Sequence, residues 1–114
     1  MTVAPMGDVR TPLKIRLYGI DAPELEQKGG PQSRDHLLSL VRPGQDVEVI
    51  KMSTDKYGRS VALVATDRVL NADMLEAGQA WAYPAFCNTP FCNGWKKLEQ
   101  DAKEARRGLW SRKD

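Results

Sequence analysis

Arg16, Asp21 and Glu24 lie within nine residues of one another, and each suits one need of phosphodiester hydrolysis. A guanidinium binds two phosphate oxygens at once, which an ammonium does less well. A carboxylate such as Asp21 can hold a hard divalent cation through oxygen. Glu24 can orient or deprotonate a water beside that cation. The positive groups then oppose the charge that builds on the equatorial oxygens. Alone the triplet says little, because charged residues at a turn usually meet water or each other. A second segment, Asp55-Lys56-Tyr57-Gly58-Arg59, changes the odds. It adds an arginine, a lysine and a flat aromatic surface for a base or sugar. Its bland reading is a hairpin loop of solvated charges, and for Asp55 that reading stands.

These groups need elements to hold them. Leu13, Ile15 and Leu17 alternate with Lys14, Arg16 and Tyr18, the period of a half-buried strand with Arg16 opposite the apolar row. Gly19 to Pro23 turns the chain, and the glycine-rich stretch from Gln27 to Pro31 reads as a loop. Ser33 to Val41 reads as a helix stopped by Arg42-Pro43-Gly44. Strands follow at Asp46 to Met52 and Val61 to Ala65, around a polar loop from Ser53 to Gly58. Thr66 to Arg68 leads tightly to a short helix with Asn71 as N-cap and Gly78 as stop. Ala80 to Tyr83 is a short extended piece. Asn93 caps a last helix whose buried stripe is Trp95, Leu98, Ala102 and Ala105, ended by Gly108. Trp110 beyond it is a core plug. Short strands and helices in 114 residues give one domain, 1–114: a small β-barrel with packed helices.

Composition narrows the class. Hydrophobic residues at 41% and charged residues at 28% are ordinary for a globular protein, so disorder is not the default. The net charge of +2 permits a polyanionic partner without demanding one. The basic tail from Lys103 to Lys113 reads as a solvated face. No apolar run approaches the roughly 20 residues of a membrane span, and Met1 to Val9 lacks a signal-peptide pattern. Cys87 and Cys92, with one histidine, are too few for a structural zinc site. They read either as a disulfide closing a small loop in an oxidising compartment, or as two free thiols in a reduced cell.

The run Ile15-Arg16-Leu17-Tyr18-Gly19-Ile20-Asp21-Ala22-Pro23-Glu24, followed by Asp55 to Arg59, resembles the staphylococcal nuclease (thermonuclease) family. The likeness continues through Asn71 to Gly78 and the final helix to Gly108-Leu109-Trp110. The resemblance implies an α+β, mainly β fold: an OB-fold barrel with three helices. It implies calcium-dependent hydrolysis of single-stranded DNA and RNA that releases 3′-phosphates, with Ca2+ as cofactor. Carried over by motif, Arg16 and Arg59 bind the scissile phosphate and Glu24 is general base or positions the water. Asp21 is a calcium ligand, assisted by the Ala22 carbonyl. Lys56 and Tyr83 contact a terminal phosphate, and Tyr57 lies against the nucleotide. Phe86 takes the place of a second tyrosine, without its hydroxyl. The family, together with a Cys87–Cys92 disulfide, implies a secreted or periplasmic protein.

One departure stands out. The family pattern opens with a strand carrying Asp-Gly-Asp-Thr, whose second aspartate is a further calcium ligand. This chain lacks it. Gly7-Asp8 mimics half of the motif but sits too close to Arg16, and Thr2-Val3 reads as what lies just beyond the lost strand. Residues 1–12 are thus expected to be a truncated strand region. The barrel then has an exposed edge, open to dimerisation or strand swapping. Calcium is expected to bind weakly and cleavage to be poor. The competing function is a catalytically impaired OB-fold module that binds nucleic acid or protein, disfavoured by the survival of both arginines and the glutamate.

Overall fold

A computed structural model describes residues 2–3, 13–83 and 87–111. Its elements, in chain order, are β1 (Thr2–Val3), β2 (Leu13–Leu17), β3 (Ile20–Asp21), α1 (Gly30–Leu40), β4 (Glu48–Thr54), β5 (Ser60–Ala65), α2 (Leu70–Glu76), β6 (Trp81–Ala82), α3 (Cys92–Glu104) and a 3-10 turn at Gly108–Trp110. This is the mixed α+β arrangement, with three helices, that the sequence suggests.

The main sheet has the order β1-β2-β5-β4, and β3 pairs with β6 in a separate ribbon. β4 and β5 form an antiparallel hairpin with a register shift between Lys51 and Ser53. β2 instead pairs with β5 in parallel, Ile15 opposite Ser60 and Leu17 opposite Ala62. β1 and β4 are the two edges, so the described strands form an open sheet and not a closed barrel. Thr2 and Val3 pair antiparallel with Lys14 and Leu13. Gly7-Asp8 lies outside the described residues.

The core lies on both faces of the β2–β5 pair. Ile15, Ala62, Val64 and Leu70 pack on one side with Leu37, Leu40 and Val49. Tyr18, Ile20, Val61, Met74, Leu75 and Trp95 pack on the other. Leu70, Leu75 and Val64 are fully buried, each contributing about 1.5–3 kcal/mol by removal from water. The two clusters are stitched together by Asn71, also fully buried. Its Oδ1 accepts the Val64 N–H, and its Nδ2 donates to the carbonyls of Tyr18 and Ala62.

Several local expectations are corrected. α1 begins at Gly30, not Ser33. Pro31 belongs to its first turn, where a missing N–H costs nothing. Ile20–Asp21 is a strand within the expected turn, because Ala82 and Trp81 pair with it. β4 runs to Thr54 because β5 offers a full partner. Asn71 is not an N-cap: Val69 holds that place, and the Asn71 amide points into the core. Nor does Asn93 cap α3, which starts at Cys92 with Phe91 as its N-cap. Ala105 is exposed at the C-cap of α3, beyond the stripe. Trp110 is no core plug. It is half-buried at the rim, with the Lys103 ammonium 4.8 Å from its ring centre.

Candidate active site

The parallel pairing of β2 with β5 brings the two key arginines together. Arg16 sits within β2 opposite Val61, and Arg59 precedes Ser60, the first residue of β5. Residues 59 and 61 share one face of a strand, and paired residues face the same side, so Arg16 and Arg59 reach the same side at the same end. They line one open cleft of about 500 Å3 together with Asp21, Ala22 and Glu24. Met74, Leu37 and Ile20 contribute its apolar floor, and Arg34 of α1 stands at its helical wall.

Each arginine is held. The Arg16 guanidinium lies 4.0 Å from Asp21 Oδ1 and 5.7 Å from the Tyr83 ring centre, a distance that permits cation–π attraction. Tyr83 is fixed in turn by its N–H, which donates to Gly19 O at 2.8 Å. Arg59 Nε donates to Asp55 Oδ2 at 2.6 Å. Asp55 Oδ1 accepts the N–H groups of Tyr57 and Arg59, both at 2.9 Å. Burial pushes the Asp55 carboxyl up, but the Arg59 N–H, the Arg59 guanidinium and the Tyr57 N–H together hold it below the usual carboxylate range. Asp55 is therefore a latch that builds the loop and aims Arg59, not a solvated charge.

Glu24 is exposed on the lip of the cleft. Among the described residues its carboxylate has no ion-pair partner. Its backbone is fixed tightly: its N–H donates to Gln27 Oε1 at 2.8 Å, and its carbonyl accepts the Gln27 N–H at 2.9 Å. Gly30 packs so closely on this carbonyl that a Cβ there would collide with it.

Asp21 Oδ1 accepts the Ala22 N–H at 2.9 Å, and the carboxylate remains 43% exposed. Asp21 and the Ala22 carbonyl are hard oxygen donors of the kind calcium takes, but calcium uses about six to eight. Among the described residues no group of three or more His, Cys, Asp or Glu side chains converges. The donor type fits and the donor number is short.

Lys56, Tyr57 and Tyr83 flank the cleft without lining it. Tyr57 is 73% exposed, with Lys56 Nζ at 5.2 Å and Arg59 Cζ at 5.6 Å from its ring centre. Phe86 lies outside the described residues. Sequence reasoning missed Arg34, an isolated basic residue in a helix that carries no local signal. It also missed the Asp55 latch, although an aspartate two residues before a loop N–H is a recognisable turn pattern.

Cys87 and Cys92 form a disulfide. It closes the loop in which Asn88 exchanges hydrogen bonds with the Tyr18 hydroxyl, and the Tyr18 ring meets Phe91 and Trp95 edge-on. No described helix is long and apolar enough to cross a membrane.

Comparison with known proteins identifies the family. The family model described as staphylococcal nuclease homologue matches residues 14–112. An uncharacterized endonuclease of Escherichia coli O157:H7 is 38% identical over 109 residues, which is 94% of this chain and 69% of that protein. A probable staphylococcal-like nuclease of rice, CAN1, is 37% identical over 99 residues. That match covers 86% of this chain but only 29% of the rice protein. Protein ParB of Escherichia coli is 36% identical, over 90% of this chain and 62% of its own length.

Proposed function

The chain belongs to the staphylococcal nuclease homologue family, and from that premise we propose that its cleft hydrolyses phosphodiester bonds of single-stranded DNA or RNA. The observation that carries this reading is the convergence of Arg16, Arg59 and Glu24 on one cleft. Residues 1–114 act as one domain of this kind.

In this reading Arg16 and Arg59 grip the equatorial oxygens of the scissile phosphate and stabilise the charge that grows there. Glu24, uncommitted to any cation, takes a proton from a water as that water attacks phosphorus. A new P–O bond forms and the bond to the departing 5′-oxygen breaks. The departing oxygen takes a proton from solvent, leaving a 3′-phosphate and a 5′-hydroxyl. Tyr57 supports a base or sugar by stacking, and Lys56 and Tyr83 meet a terminal phosphate. Asp21 and the Ala22 carbonyl would hold Ca2+, which when bound supplies positive charge near the phosphate. With so few oxygen donors among the described residues, that binding would be weak.

Two further features belong to this reading. The disulfide supports a secreted or periplasmic setting. β4 has a free edge among the described strands, and a second copy or a swapped strand would pair there. The test is cleavage of a single-stranded oligonucleotide with calcium and with chelator. Glu24→Gln and Arg59→Ala should each cut the rate by about a hundredfold or more, Glu24→Gln without shifting the melting temperature and Arg59→Ala with a drop from the lost Asp55 contact. An unchanged rate in Glu24→Gln would sink the general-base role.

A further inference from the structure

Resting on the function just proposed, we infer that Arg34 is a third phosphate-binding arginine, gripping a flanking phosphate of a polynucleotide and not the scissile one. Arg34 lies on α1 and lines the same cleft as Arg16 and Arg59. It approaches from the helical wall, whereas the other two come from the paired strands. A substrate with a single phosphate seated between the strand arginines has nothing to offer that wall. A polynucleotide has a second phosphate to present there.

The present partner of Arg34 is easily exchanged. Its Nε and Nη2 both reach one oxygen of Asp35, Oδ1, at 3.4 and 3.2 Å. The side chains are 54% and 66% exposed, so the pair is screened by water and contributes little. Two donors directed at one oxygen also leave the guanidinium short of the two-oxygen geometry it favours, which a phosphate provides. Arg59 differs: its Asp55 partner is only 17% exposed and also anchors backbone N–H groups. Arg34 is thus the cleft arginine with the least commitment to the fold. Asp35, beside it, is a counterweight whose negative charge weakens the grip on any phosphate.

The experiment compares wild type, Arg34→Ala and Asp35→Asn on a single-stranded oligonucleotide and on a dinucleoside monophosphate. Arg34→Ala should raise KM for the oligonucleotide about tenfold, as loss of one charge-assisted contact would, with kcat little changed. Its salt dependence should flatten by about 0.7 in log–log slope, one phosphate contact to a single strand. The loss on the dinucleoside should be smaller. Asp35→Asn should act in the opposite direction and lower KM. Equal losses on both substrates, a change confined to kcat, or shifts of the same sign in the two variants would each overturn the inference. If wild type cleaves neither substrate, the nuclease reading fails by itself. Oligonucleotide binding followed by fluorescence anisotropy then decides: weaker binding by Arg34→Ala and tighter binding by Asp35→Asn support the inference, and equal affinities refute it.

Discussion

Asp55 holds Arg59 through a 2.6 Å contact while its other oxygen accepts the backbone N–H of that same residue. One carboxylate therefore fixes both the main chain and the side chain of a cleft arginine. Asp55→Ala should leave Arg59 in place in sequence but unaimed. Misplacement of a reacting group by about 1 Å can cost roughly a hundredfold, and a loss of kcat of that order is expected. Steady-state kinetics check it; a variant that keeps the wild-type kcat would show that Arg59 aims itself.

The same latch sets a pH dependence. The Asp55 carboxyl is lowered in the folded chain, so it stabilises the fold at pH values above its unfolded value of about 3.9. That contribution fades as pH falls through the lower folded value. Asp55→Asn should therefore be less stable than wild type at neutral pH, with the gap narrowing in acid. Urea midpoints across neutral to strongly acidic pH measure it. A gap that widens in acid would contradict the assignment.

Asn71 is the tie most sensitive to removal. Asn71→Ala leaves the Val64 N–H and the Tyr18 and Ala62 carbonyls without its amide. The cost is about 3 kcal/mol, or about 10–15 °C in melting temperature for a domain of this size. Thermal unfolding followed by circular dichroism reads it directly.

Gly30 tests the placing of Glu24. A Cβ at Gly30 would run into the Glu24 backbone carbonyl, so Gly30→Ala must displace the segment that carries the general base. The rate should drop about tenfold to a hundredfold. Gly94→Ala is the control: its Cβ meets nothing within 4 Å, and in α3 it should gain about 0.5–1 kcal/mol. Equal effects in the two variants would rule out the steric account.

The Cys87–Cys92 bridge closes a loop with a sequence separation of 5. Loop entropy for so short a closure gives about 2 kcal/mol. The double variant Cys87→Ser, Cys92→Ser should lose that much stability in a denaturant titration, and reductant should lower the wild type to the same level. A wild type indifferent to reductant would mean that the bridge contributes nothing in solution.

Much of this protein is legible in one dimension. Alternation at Leu13, Ile15 and Leu17 marks β2 by its period of two, although Leu13 is exposed and Tyr18, in the opposite row, is buried. The chemistry expected of Arg16, Asp21, Glu24 and Arg59 is legible through the family resemblance their two motifs carry, because charged residues at a turn taken alone usually meet water or each other. Helix ends were less legible. Pro31 reads as a breaker by itself but opens α1 in context, and Asn71 reads as a cap but is buried. Pro31 is settled by its place in the first turn, whereas Asn71 is settled by partners distant in sequence, the Tyr18 carbonyl above all.

Tertiary structure alone decided the rest. Arg16 and Arg59 share a cleft because β2 and β5 pair in parallel, a non-local choice that neither segment encodes. The Asp55 latch is the exception: its bonds reach only two and four residues ahead, so it is local and legible as a turn pattern. Arg34 joins the cleft only because α1 packs along it. Local sequence specifies what each group can do, through its charge and its hydrogen-bonding atoms. Which groups meet is set by burial of the two apolar clusters, since only the packing of distant segments removes those surfaces from water.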